Sequence, residues 1–125
     1  MRIYLSVDQL IQINLEMSQS FGGTAGVRDR GALEAAAARP QNGYYRDVVE
    51  EGAALCESLL QNHPFVDGNK RTAITATAVF YEINGYSLRF EDNELYDWLT
   101  HLYNVGRVNK QSLAIWFRAH VNEQS

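Results

Sequence analysis

With a single cysteine, Cys56, the chain can close no internal disulfide, the situation of proteins from reducing compartments. It has no run of 18 apolar residues, and so offers no candidate membrane-spanning helix. The N-terminal stretch MRIYLSVDQLIQIN lacks the uninterrupted apolar core and small-residue cleavage site of a secretory signal. A cytoplasmic protein with no membrane partner is the expectation. Positive charge is also scarce: 11 Lys and Arg stand against 15 Asp and Glu, a net charge of −4. The cations are scattered, apart from the adjacent pair Lys70 and Arg71. Grip on nucleic acid through phosphate contacts needs a basic face, so no direct nucleic-acid partner is expected.

What is present suits one soluble domain spanning 1–125, because domains commonly hold about 100–200 residues. A chain of this size buries roughly two-thirds of its unfolded surface and folds without staples. Apolar periodicity then divides it into helices. Ser6 is a helix cap, after which Val7, Leu10, Ile11 and Leu15 recur at helical spacing until Phe21-Gly22-Gly23. A shorter helix, 32–39, follows a cap at Asp29 and stops at Pro40. The next, from about Asp47 to Asn62, carries the small stripe Gly52, Ala53 and Cys56, which permits close approach by a neighbour.

A helix from Asn69 to Ile83 is apolar around most of its circumference, which predicts a buried central helix. Tyr86–Phe90 alternates like a short strand, with 1–5 as its candidate partner. Two last helices start from caps at Asp92 and Asn109, and the first of them ends at Gly106. The fold class is therefore all-α: about six helices around a buried central one, with at most one short hairpin.

The chemistry concentrates in His63–Arg71, HPFVDGNKR. If Gly68-Asn69 opens the central helix, its unpaired N–H groups and partial positive charge make an anion site, and glycine lets a phosphate approach the backbone. Lys70 and Arg71 project from that same first turn, Arg as a bidentate donor and Lys as a point charge. Asp67 is a hard oxygen ligand suited to Mg²⁺ bridging phosphates. Imidazole ordinarily exchanges its proton near neutral pH, which makes His63 the candidate general base for a hydroxyl nucleophile. Each feature also has a plainer use: Asp67 as a helix cap, Pro64 and Gly68 as turn formers, Phe65 as a core anchor. Cations at a helix start oppose the dipole, however, so packing alone explains Lys70 and Arg71 poorly. Base, carboxylate, glycine and two cations within nine residues favour a phosphate-transfer site.

At these residues the chain resembles the Fic/Doc family, and within it the Doc (death-on-curing) toxins. The Fic signature HPFxxGNGRxxR stands here as HPFVDGNKR, and YLSVDQL, FGGTAGVRDRGALEAAAARP and LAIWFRAH extend the likeness over nearly the whole chain. The resemblance implies a compact Fic/Doc-type bundle. It also implies that His63 accepts the proton of a target hydroxyl, that Asp67 holds Mg²⁺, and that Gly68, Asn69, Lys70 and Arg71 hold nucleotide phosphates. Two departures from the Fic signature are those of Doc proteins: Lys70 for the glycine after Asn69, and Ile74 for the final arginine. A lysine crowds the backbone nest that cradles the α-phosphate in adenylyl-transferring relatives, and loss of the arginine removes a second clamp. In Doc proteins the nucleotide is turned round and the γ-phosphate moves instead. The implied activity is thus an ATP- and Mg²⁺-dependent protein kinase acting on a threonine of elongation factor Tu, silenced by a small antitoxin protein. Protein adenylylation and a non-catalytic binding module of the same fold are the competing readings.

Other residues are weighed singly. Thr75 falls where a relative carries a further site asparagine. One turn after Arg71, its hydroxyl faces either the phosphate site or its own helix. Asn14 lies on the apolar face of the first helix, as expected of a satisfied buried polar group. Cys56 is expected to be inert core. His101 and His120, without acidic neighbours in sequence, are not expected to bind metal. Trp98, Trp116 and Phe117 are expected in the core. Tyr44 and Tyr45 are candidates for the rim of the site, and Arg28 for a tie between its loop and the helix that follows.

Overall fold

Four helix starts are made by the capping side chains that the sequence offers. Ser6, Asp29, Asp47 and Asn109 each accept the backbone N–H three residues on, satisfying one of the donors that a helix N-terminus leaves unpaired. In this computed structural model, which describes residues 1–91 and 93–124, they open α1 (Val7–Phe21), α2 (Arg30–Ala38), α3 (Val48–Asn62) and α6 (Lys110–His120). Between these lie α4 (Asn69–Ile83), β1 (Tyr86–Leu88) and α5 (Glu94–Asn104), and β2 (Val121–Glu123) follows α6. Pro40 sits inside a single 3₁₀ turn, Arg39–Gln41, that continues α2 before the chain leaves the helix. The cap expected at Asp92 lies outside the described residues, and Asn93, in the left-handed conformation, occupies the N-cap position of α5.

The core sits where α3 packs on α4, with α2 and α6 against α3 and α1 against α4. Both helices are central, but α3 is the more enclosed: almost every residue from Val48 to Leu60 is buried. By contrast α4 leaves Val79 half-buried and Ile83 at its open end. The small stripe does what its composition implies. A Cβ at Gly52 would overlap the Tyr81 ring of α4, whose hydroxyl donates to the Val49 carbonyl at 2.9 Å.

The expected pairing of β1 with the N-terminal residues does not form. β1 pairs antiparallel with β2, Tyr86 opposite Glu123 and Leu88 opposite Val121. The reason lies in Asn84. Its side chain accepts from Ile3 N–H and donates to Ile3 C=O, both at 2.8 Å, so the backbone groups of Ile3 are taken by an amide rather than by a strand. β2, arriving directly from α6, is left as the partner.

Candidate active site

The polar loop begins where α3 ends. His63 is left-handed, φ 45°, a conformation that costs a non-glycine residue energy and needs support. Arg28 supplies it, Nε donating to the His63 carbonyl at 2.8 Å and a terminal nitrogen to the Asn62 carbonyl at 2.9 Å. A guanidinium at a helix C-terminus satisfies unpaired carbonyls and suits the dipole. Arg28 thus ties its loop to the C-terminal end of α3, further along the chain, rather than to α2, the helix that directly follows it. Backbone bonds extend the tie: Pro64 C=O accepts from Arg28 and Asp29 N–H, and Val66 N–H donates to Gly26 C=O. Fully buried Phe65 anchors the loop in the core.

The loop then closes on itself and on α1. The Asn69 amide accepts from Phe65 N–H and donates to Phe65 C=O, both at 3.0 Å. From α1, the buried Asn14 amide donates to the Asp67 carbonyl (2.9 Å) and to the Thr72 hydroxyl (3.2 Å), while its oxygen accepts from Gly26 N–H (3.2 Å). Asn14 is a satisfied buried polar group, as expected, and its partners join three segments around the motif. Thr24 N–H donates to Asp67 Oδ2 at 2.9 Å. Gly68, φ 75°, turns the chain into α4. Among the described residues, the N–H groups of Asn69, Lys70 and Arg71 find no hydrogen-bond acceptor, so the open end of α4 offers them to a ligand.

His63, Asp67, Gly68, Asn69, Lys70 and Arg71 all line one cleft of about 640 Å³. Its far wall is α5, through Tyr96 and Tyr103. Burial pushes both phenols above their ordinary range, the Arg71 charge pulling Tyr96 partly back, so they remain neutral near physiological pH. Among the described residues neither Lys70 nor Arg71 pairs with a carboxylate. Instead Lys70 Nζ lies 5.3 Å from the centroid of the Tyr103 ring, and Arg71 Cζ lies 4.2 Å from that of Phe21 and 5.7 Å from that of Tyr96. The motif itself held no sign of these rings, which come from helices distant in sequence.

The remaining candidates fall elsewhere. Thr75 does not line the cleft, and its hydroxyl donates to Met17 Sδ at 3.4 Å. Tyr44 and Tyr45 also stand away from the cleft, and the Tyr45 hydroxyl accepts from Arg39 Nε at 2.9 Å. His120 has an acidic neighbour after all, Glu94, whose Oε2 is 3.4 Å from its Nε2. No group of three metal-ligating side chains occurs among the described residues. Cys56 is wholly buried, and desolvation raises its thiol to about 12, which leaves it no thiolate for chemistry.

The class so defined is a mostly helical protein whose polar loop joins two packed central helices and opens onto an anion-receptive cleft. The family model described as "Fic/DOC family" matches residues 4–81, and the chain belongs to that family. It is 49% identical over 76 residues to Toxin Doc of Mycolicibacterium smegmatis, a match covering 57% of this chain and 58% of that protein. It is 30% identical over 115 residues to Protein kinase doc of Escherichia phage P1, covering 89% and 90%. The chain thus spans little more than half the length of the first relative and most of the second. No described helix is long and apolar enough to cross a membrane.

Proposed function

We propose that this protein is the toxin of a toxin–antitoxin module and acts as an ATP- and Mg²⁺-dependent protein kinase on a threonine or serine hydroxyl. The observation that carries the reading is the convergence of His63, Asp67, Lys70, Arg71 and the open end of α4 on one cleft. The names of the two relatives, a toxin and a protein kinase, support it. Elongation factor Tu is the target that the resemblance to Doc toxins suggests, and a small antitoxin protein is the corresponding partner.

Asp67 fits Mg²⁺ in the way that ion is ordinarily held, by one or two carboxylates plus substrate phosphates and water rather than by an all-protein cage. Its Oδ2 is oriented by Thr24 N–H, and no hydrogen bond among the described residues engages Oδ1. Bound there, Mg²⁺ would supply charge neutralisation of the phosphates. The chain's own part is positioning. The N–H groups of Asn69, Lys70 and Arg71 receive phosphate oxygens, and the Lys70 and Arg71 side chains offset the charge that spreads over the transferred group. The Asn69 amide, committed to Phe65, keeps the loop in shape, so its contribution to the phosphates is its N–H. The target hydroxyl oxygen attacks the γ-phosphorus as the bond to the β,γ-bridging oxygen breaks. ADP leaves, and the hydroxyl proton passes to His63.

Purified protein with Mg²⁺, a cytosolic extract and ATP labelled at either the α or the γ position tests this. The expected result is a protein band labelled from γ alone. With His63→Ala the labelling falls by about 10²–10⁴, the usual worth of a general base. Label from the α position alone would establish adenylyl transfer and overturn the kinase reading. Growth arrest undiminished by His63→Ala would favour a binding module instead.

A further inference from the structure

Among the described residues the two motif cations have no carboxylate partner, yet neither is loose. Each rests on aromatic rings from outside the motif: Phe21 at the last turn of α1, and Tyr96 and Tyr103 on α5. Phe21 is 61% exposed, so core packing does not account for a phenyl ring there. A guanidinium is attracted to an aromatic ring through the ring's quadrupole. It meets phosphate through N–H donors that lie in the guanidinium plane. A ring centroid 4.2 Å from Arg71 Cζ restrains the guanidinium without taking any of its hydrogen-bond donors. A carboxylate partner would also fix the side chain, but would consume the donors and cancel the charge. The ammonium of Lys70 follows the same logic over Tyr103, whose hydroxyl reaches the Leu60 carbonyl at 3.4 Å and ties the ring to α3.

We infer that Phe21, Tyr96 and Tyr103 are positioning residues of the phosphate cleft: their rings hold Arg71 and Lys70 in place in advance, so that α1 and α5 complete a site whose motif lies between α3 and α4. This inference rests on the proposed phosphate-transfer function. The aromatic grip itself exists with or without nucleotide. Its value is preorganisation, since a long side chain held in advance has less freedom to lose on binding.

The test uses Phe21→Leu and Tyr96→Leu, which keep apolar bulk but remove the π face, with Phe21→Trp as the conservative variant. Because Phe21 is exposed, Phe21→Leu should melt within a few degrees of wild type, as surface substitutions do. Calorimetric titration with ATP in the presence of Mg²⁺ should then give a dissociation constant about two- to fivefold higher for Phe21→Leu, and restored by Phe21→Trp. NMR supplies a readout free of nucleotide: the Arg71 Nε proton should show a ring-current shift that Phe21→Leu alters and Phe21→Trp retains. Leucine variants that both bind ATP like wild type overturn the positioning role, as does a wild-type Arg71 resonance with no ring-current shift. A wild type that shows the shift and has no affinity for ATP overturns the phosphate-transfer reading, and with it the role given to the rings. The two failures are distinguishable because only the second leaves the grip on Arg71 intact.

Discussion

Replacing Asn14 by alanine removes a side chain that bonds at once to the motif loop, the start of α4 and the loop after α1. Its amide makes three hydrogen bonds, at 2.9, 3.2 and 3.2 Å, and is 1% exposed. A buried polar group left without a partner costs about 1–3 kcal/mol, but the three groups are not equally trapped. Asp67 is exposed, so its carbonyl recovers a water at little cost. Gly26 is half-buried, and its N–H loses about 1 kcal/mol. Thr72 is wholly buried, so its hydroxyl either bears the full penalty or turns onto a carbonyl of its own helix. The expected destabilisation is therefore about 1–4 kcal/mol, a fall in melting temperature on the order of 10 °C for a domain of this size. Urea unfolding at 25 °C should show it as a lower midpoint with an unchanged slope. Asn14→Asp separates hydrogen bonding from volume. An ionised carboxylate still accepts from Gly26 but opposes the Asp67 carbonyl with a second acceptor, so it should be no better than alanine at neutral pH and recover in acid, once protonated. A loss below about 0.5 kcal/mol for Asn14→Ala, or an aspartate variant that is stable at neutral pH and gains nothing in acid, would refute this account.

Gly52→Ala drives a methyl group into the Tyr81 ring, and overpacking of this kind costs about 1–3 kcal/mol. The Tyr81–Val49 hydrogen bond should weaken with it, which denaturant unfolding and the near-ultraviolet circular dichroism of the tyrosine would register. Two ion pairs predict acid sensitivity. The Arg118 guanidinium holds the Asp47 carboxyl below its ordinary value of 3.8, and Lys110 holds Glu50 below 4.5. Because both folded values are depressed, their contributions are complete above those ordinary values and disappear as the pH falls through the lower folded ones. Unfolding free energy should thus decline below about pH 4.5, and Asp47→Asn should flatten that decline. An unchanged acid slope in Asp47→Asn would exclude this pair as its source. Partial exposure of Arg118 and Asp47 keeps the contribution of that pair modest.

Local signals carried the helices and the motif. Ser6, Asp29, Asp47 and Asn109 cap because the bond each makes spans three residues of the same segment, and Gly68 opens α4 for an equally local reason. What sequence did not disclose is non-local. Arg28 reaches the end of α3 across 34 and 35 positions, and a lone arginine in a loop does not say which carbonyls it will meet. Asn14 was recognisable as buried polar from its place on an apolar face, but its partners lie 12, 53 and 58 positions away. The three-residue strand β1 chose its partner by elimination, after Asn84 had taken the Ile3 backbone. The rings beneath Arg71 and Lys70 belong to α1 and α5, whose meeting at the cleft no motif spells out.

The two positions where the motif departs from the Fic signature acquire different physical meanings in the fold. Ile74, where that signature ends in arginine, is 3% exposed and part of the core cluster. A cation at that position would be buried, and a buried charge without a partner costs several kcal/mol. Ile74→Arg therefore reports on folding before it reports on any phosphate. Lys70 is different: it lines the cleft, rests on the Tyr103 ring and is not part of the core cluster. The positive charge of this site is thereby gathered on one turn, at Lys70 and Arg71, beside the open N–H groups of α4. Under the proposed kinase reading, that concentration suits stabilisation of a single phosphoryl group in transit. A clamp on a more extended stretch of nucleotide would require a second cation further along the helix, where this chain has placed core.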